Sequence, residues 1–154
     1  MRRQDKYPET AYFIYHNQNP KNRITEDCEV RALSLATDIP YNDVVMELAE
    51  IHCETGYACI GNKAEEIFLT RHGFKKMPQL RHDDNTKYTG KQFTDYLSIN
   101  FPNGEIGNVF AHIGGNHVVC IKPTNHGDGF NCRYKVHDIW DSTDGCVGNY
   151  YIKK

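Results

Sequence analysis

The spacing of apolar residues changes once along this chain, and that change constrains the fold more than any other feature. Up to about residue 100 the apolar positions recur at helical spacing, whereas from 108 onward they alternate or run together over short stretches bounded by Gly, Asn and Pro. Helices are predicted from Cys28 or just after it (CEVRALSLATDI), over NDVVMELAEIHCET up to Gly56, around KAEEIFLTRH before Gly73, and over GKQFTDYLSIN ahead of Pro102. Asp27 or Thr25 suits the first as a cap, Asn42 the second and Thr89 the fourth. Strands are predicted at 10–16, 108–113, 117–122, 133–140 and 148–153, the last four as an antiparallel meander with a Gly-rich hairpin tip at 125–131. Helices first and strands later, with no βαβ rhythm, predict an α+β fold in which N-terminal helices pack on a C-terminal antiparallel β-sheet. The 154 residues suit one domain, 1–154, with no internal repeat or linker.

Charge and composition exclude several classes. A net charge of −2 with scattered basic residues leaves no electrostatic footprint for nucleic acid or an anionic membrane. The charged start, MRRQDK, is followed by no apolar run, and no window reaches the roughly 18 apolar residues of a membrane span, so a cytoplasmic location is expected. In that compartment the six cysteines (28, 53, 59, 120, 132 and 146) read as free thiols, not as three disulfides. Metal ligands usually come as close pairs; His52, Cys53 and Cys59 are the nearest approach to one, and small buried hydrophobes are the plainer reading of these cysteines. No metal or organic cofactor is expected.

Three residues have the order and context that a thiol hydrolase needs. Cys28 opens a helix after a polar loop, where the helix dipole favours a thiolate. His117, in GGNHVVCI, enters a strand after a turn that admits another backbone. Asp138, in HDIWD, lies on the following strand, whose pairing with the histidine strand brings a carboxylate to the second ring nitrogen. Trp140, two residues on along the same predicted face, is placed to shield that contact from water; Asp141, facing the other way, is the second choice for orienting the base. Each has an ordinary role if taken alone: a buried thiol, a strand-end histidine, a tryptophan in the core. An oxyanion would need donors, and the Cys28 backbone N–H with the Asn22 side-chain amide are the best placed, Asn19 and Gln18 being alternatives.

The order Cys-helix, helical insert, strand-His, strand-Asp-x-Trp resembles the papain-like cysteine peptidases. In that family the cysteine opens the central helix, the histidine begins a strand, and an Asn or Asp on the next strand orients it under a tryptophan. The resemblance implies Cys28, His117 and Asp138 as the triad, Trp140 as the cover, and Asn22 at the spacing of the oxyanion-hole glutamine, one methylene shorter. NPKNRITEDCEVRA and HDIWD are also similar to a group of small phage and Gram-positive bacterial proteins carrying D-C-x-x-R-A and D-x-W-D; residues 56 to 105 carry none of these motifs. Arg31, in the first of them, reads as an ion pair with an acidic neighbour or as a binder of a substrate carboxylate. The implied activity is hydrolysis of peptide, isopeptide or glutamine-type amide bonds, with a protein or peptide as substrate. The alternatives are a catalytically silent papain-like module that holds or inhibits a partner protein, phage-encoded and acting in the host cytoplasm, and an acyl transferase or deamidase.

Overall fold

The computed structural model describes residues 1–125 and 132–154; most of the hairpin tip expected at 125–131 lies outside the described residues. Among the described residues there are five helices and six strands, in the order α1 (Arg3–Lys6), β1 (Phe13–Tyr15), α2 (Cys28–Thr37), α3 (Tyr41–Thr55), α4 (Asn62–Arg71), β2 (Phe74–Met77), α5 (Gly90–Asn100), β3 (Val109–Ile113), β4 (His117–Asn125), β5 (Cys132–Asp138) and β6 (Val147–Lys153). The fold is α+β.

The strands form one sheet in the order β1-β5-β4-β3-β6-β2. β3, β4 and β5 are the expected antiparallel meander, but the sheet as a whole is mixed. β1 runs parallel to β5, with Phe13 opposite Val136, and thereby occupies the edge that β6 would have taken in a simple meander. β6 returns instead to the far side of β3, and β2 adds outside it. The segment FKKM gave no strand signal, because two of its four residues are lysines; exposed lysines suit an edge strand.

Both faces of this sheet are covered, which explains why its strands run apolar as well as alternating. On one side α2, α3 and α4 pack Leu33, Val44, Leu48, Ile51, Phe68 and Leu69 against Phe110, Val118, Cys120 and Tyr151. On the other side Phe93 and Leu97 of α5 meet Val109, Ala111, Val119, Ile121, Tyr134 and Val136. All six cysteines are free thiols.

Helix ends follow local chemistry in part. Thr89 and Gln92 form a reciprocal capping box at α5, and α3 stops at Gly56 in the left-handed region. Asn42 is not the cap of α3. That helix already begins at Tyr41, because the Pro40 carbonyl accepts the first backbone bonds, from Asp43 and Val44. Asp27 does stand at the N-cap of α2, its carbonyl accepting the Arg31 N–H at 3.0 Å, but its side chain makes no cap bond, for a reason taken up below.

The start of α5 is docked tightly on the 142–145 turn. Gly90 N–H donates to the Gly145 carbonyl at 2.8 Å, and a Cβ at Gly90 would lie 2.8 Å from Thr143 Cα and 2.9 Å from its carbonyl oxygen. Gly90→Ala is therefore expected to destabilise the protein by about 1–3 kcal/mol through overpacking, although alanine is the better helix former. Urea unfolding measures this, and a variant as stable as wild type would show that the turn yields.

Candidate active site

Two connections in the sheet deliver the site. A Gly114-Gly115-Asn116 turn joins β3 to β4, with φ of +65° and +92° at its glycines, values that a residue with a side chain rarely adopts. It sets His117 at the first position of β4, opposite Ile113. The antiparallel register of β4 on β5, with Cys120 opposite His137, carries the end of β5 back beside the start of β4. His117 Nε2 and Asp138 Oδ2 are consequently 2.6 Å apart. The remaining ring nitrogen of His117 is the one left for Cys28, whose thiol lies near enough to the ring and to the Val118 backbone N–H for both to act on its charge.

This arrangement sets the charge states. Burial alone would push the Cys28 thiol up, but the His117 hydrogen bond, the Val118 N–H and the positive charges of His117 and Arg31 outweigh it and hold the thiol below its ordinary value. Burial alone would lower His117, yet its bonds to Asp138 and Cys28 push it up to about 9. The Trp140 ring lies over His117, with centroids 4.9 Å apart and planes tilted by 41°. Trp140 does this from beyond the strand and not from its face, since β5 ends at Asp138.

Asp138 is fixed from its other side. Its Oδ1 accepts from Arg31 at 2.5 Å and from the Ile139 backbone N–H at 2.7 Å. Arg31 Nε donates to Asp27 Oδ1 at 2.7 Å, and the second Asp27 oxygen accepts from the Tyr41 hydroxyl and the Asn19 amide. Arg31, Asp27 and Asp138 are all buried. This explains the missing side-chain cap on α2: the Asp27 carboxylate, held below its ordinary pKa against burial by Tyr41, Arg31 and Asn19, neutralises a buried guanidinium instead. Arg31 thus serves as an ion pair between two elements, with its Nε and Nη1 bound to Asp27 and Asp138. With no side-chain cap, the first-turn N–H groups of α2 remain open beside the sulfur.

The other expected residues lie further off. Asn22 is exposed in a left-handed turn closed by its N–H to the Asn19 carbonyl; its side-chain oxygen accepts from Asn17 at 3.3 Å, and its amide nitrogen has no partner among the described residues. Asn19 is bound to Asp27 and Gln18 to Ser34, so neither alternative points its amide at the sulfur. Asp141 accepts the Thr143 N–H and hydroxyl in a local turn. His52 bonds the Tyr57 carbonyl, and among the described residues no group of three or more His, Cys, Asp or Glu side chains could hold a metal ion.

Asp27 and Tyr41 were missed as site supports because a buried ion network leaves no local pattern. Glu29, Glu65 and His112 were missed as well; they line a cleft of about 210 Å³ with Cys28. A glutamate next to the cysteine on an apolar helix face, and a histidine inside the apolar run VFAHI, are the signals that pointed to them.

No helix among the described residues is long and apolar enough to cross a membrane. No family model matches the chain, and neither a curated protein nor a solved structure matches it significantly.

Proposed function

We propose that this chain is a papain-like thiol hydrolase that cleaves amide bonds of a protein or peptide through Cys28, His117 and Asp138. The observation that carries the reading is one histidine bonded at 2.6 Å to a buried carboxylate and set beside a helix-opening thiol, whose pKa it lowers. His117 takes the proton from Cys28, and the sulfur attacks the carbonyl carbon of the amide. The oxyanion is met by the Cys28 N–H at the uncapped start of α2 and by the amide of Asn22, once that side chain turns from Asn17. The imidazolium then gives its proton to the departing amine, leaving a thioester. Water attacks the thioester with His117 as base, and the acid product leaves as the thiol is restored. Asp138 keeps the imidazole in one tautomer, and Trp140 shields the contact.

The test needs no substrate. Iodoacetamide labelling of each cysteine against pH, read by peptide mass spectrometry, should find Cys28 the fastest of the six, with a midpoint below the usual ~8.5 of a free thiol. His117→Ala should move that midpoint up towards the ordinary range and slow labelling at neutral pH. A Cys28 no faster than the exposed Cys53 and Cys146 would count for a silent binding module instead.

A further inference from the structure

The cleft beside Cys28 has a floor that the hydrolytic steps leave unused. Glu29, the next residue along α2, and Glu65 of α4 are 4% and 2% exposed, yet both line the cleft. Glu29 Oε1 accepts the Gly61 backbone N–H at 2.9 Å, whereas its Oε2 has no hydrogen-bond partner among the described residues. Glu65 faces Glu29 and is paired through Oε1 with His112 Nε2. A buried carboxyl oxygen without a donor costs free energy, and a second carboxylate beside it raises that cost. Burial, with the charge of Glu65 added, pushes Glu29 up to about 8, against the opposing pull of the Gly61 N–H.

The walls differ from the floor. Ile60, which is 53% exposed, and Val118 offer apolar surface, and Gly115 adds no side chain. At about 210 Å³ the cleft is smaller than the roughly 300–1,000 Å³ of sites that enclose drug-sized ligands, and it suits one side chain. An apolar stem ending in a cation is the shape that fits apolar walls over an acidic floor. A metal ion fits poorly, because no three ligating groups converge here among the described residues.

We propose that this cleft is the specificity subsite of the hydrolase, taking a lysine or arginine side chain of the substrate next to the scissile amide, with its cationic tip on Glu29 Oε2 and Glu65. The inference rests on the thiol-hydrolase reading for its meaning, and the second of its two tests is independent of that reading. Near neutral pH Glu29 keeps its proton because of burial and the neighbouring Glu65. Entry of a cation displaces that proton and lets the carboxylates pair with the incoming charge, and the side chain's position beside Cys28 sets which bond lies over the sulfur. An acidic side chain at the same place would be rejected.

Two measurements test the proposal. Tetrapeptidyl acyloxymethyl ketones with lysine, arginine, norleucine or glutamate next to the electrophile are compared for their rate of covalent attachment to Cys28, by intact mass. Lysine and arginine should exceed norleucine by about 10- to 100-fold, the range of a charge-assisted buried contact, with glutamate slowest. Lysine and arginine separate from each other by size alone. Independently of any reaction, N-acetyl-lysine methylamide should shift the Gly61 amide resonance in a nitrogen–proton NMR titration, the norleucine compound should not, and Glu29→Gln should abolish the response. Equal rates for lysine and norleucine, or no shift at Gly61, overturn the subsite. Slow iodoacetamide labelling of Cys28 together with a lysine-specific Gly61 shift would overturn the hydrolase and leave the cation subsite standing.

Discussion

Arg31→Ala is expected to cost about 3–5 kcal/mol of folding stability, the largest loss from any single polar substitution in this protein. The reason is an imbalance of charges more than a lost bond. Arg31 is the one guanidinium set between Asp27 and Asp138, at 2.7 and 2.5 Å, and all three side chains are buried. Removing it leaves two carboxylates out of water without their cation, and α2 loses its polar tie to the end of β5. Arg31→Lys is expected to recover only part of the loss, because one ammonium cannot span both carboxylates with the fixed fork of a guanidinium. Equilibrium unfolding in urea at neutral pH measures both variants. A loss under about 1 kcal/mol for Arg31→Ala would mean that water reaches the network and screens it.

Asp138→Ala should remove most of the activity, with turnover lowered by about 10⁴ once a substrate is in hand, the order seen when a triad's orienting aspartate is truncated. Asp138→Asn should cost much less, because its amide oxygen can still accept the His117 N–H as the Asn of papain-like peptidases does, although a neutral side chain cannot balance the imidazolium or the Arg31 guanidinium. A second readout is available without a substrate. His117 has its pKa raised in the folded protein to about 9, above the ordinary ~6.5, so its contribution to stability is complete below about 6.5 and is lost as the pH rises through about 9. The lowered Cys28 thiol contributes with the opposite sign over the same range, so the test uses Cys28→Ala, whose thermal unfolding temperature should fall as the pH rises above about 6.5. Adding Asp138→Asn should narrow the window and flatten the slope, because the chief cause of the upward shift is weakened. An unchanged slope would show that another group controls stability over that range.

Much of this was legible in the sequence, and what was missed has a common cause. The α2 helix starting at Cys28, the Thr89 capping box and the Gly56 stop are written in residues a few positions apart. His117 and Asp138 were legible as neighbours because consecutive antiparallel strands must bring the start of one to the end of the next. The parallel partnership of β1 with β5 was not, since nothing near Phe13 refers to Val136. Asp27 shows the same limit at a single residue. Its position predicts a cap, but a buried arginine one turn later claims the carboxylate, and that outcome depends on Asp138 and Tyr41 as well. Glu29, Glu65 and His112 come from α2, α4 and β3, and only the packed fold puts them in one cleft.

The parallel pairing of β1 with β5 also sets a timetable. A ribosome delivers the Cys28 helix early, but the strands that carry His117 and Asp138 come late. Tyr15 cannot meet its partner until Asp138 has been made, and the chain that precedes Cys28 then closes alongside the last part of the site, with His16 N–H donating to the Asp138 carbonyl at 2.9 Å. Contacts so distant in sequence form slowly and together. During synthesis the sulfur therefore emerges as an ordinary thiol, and the contacts that lower its pKa form only once β4 and β5 have been made.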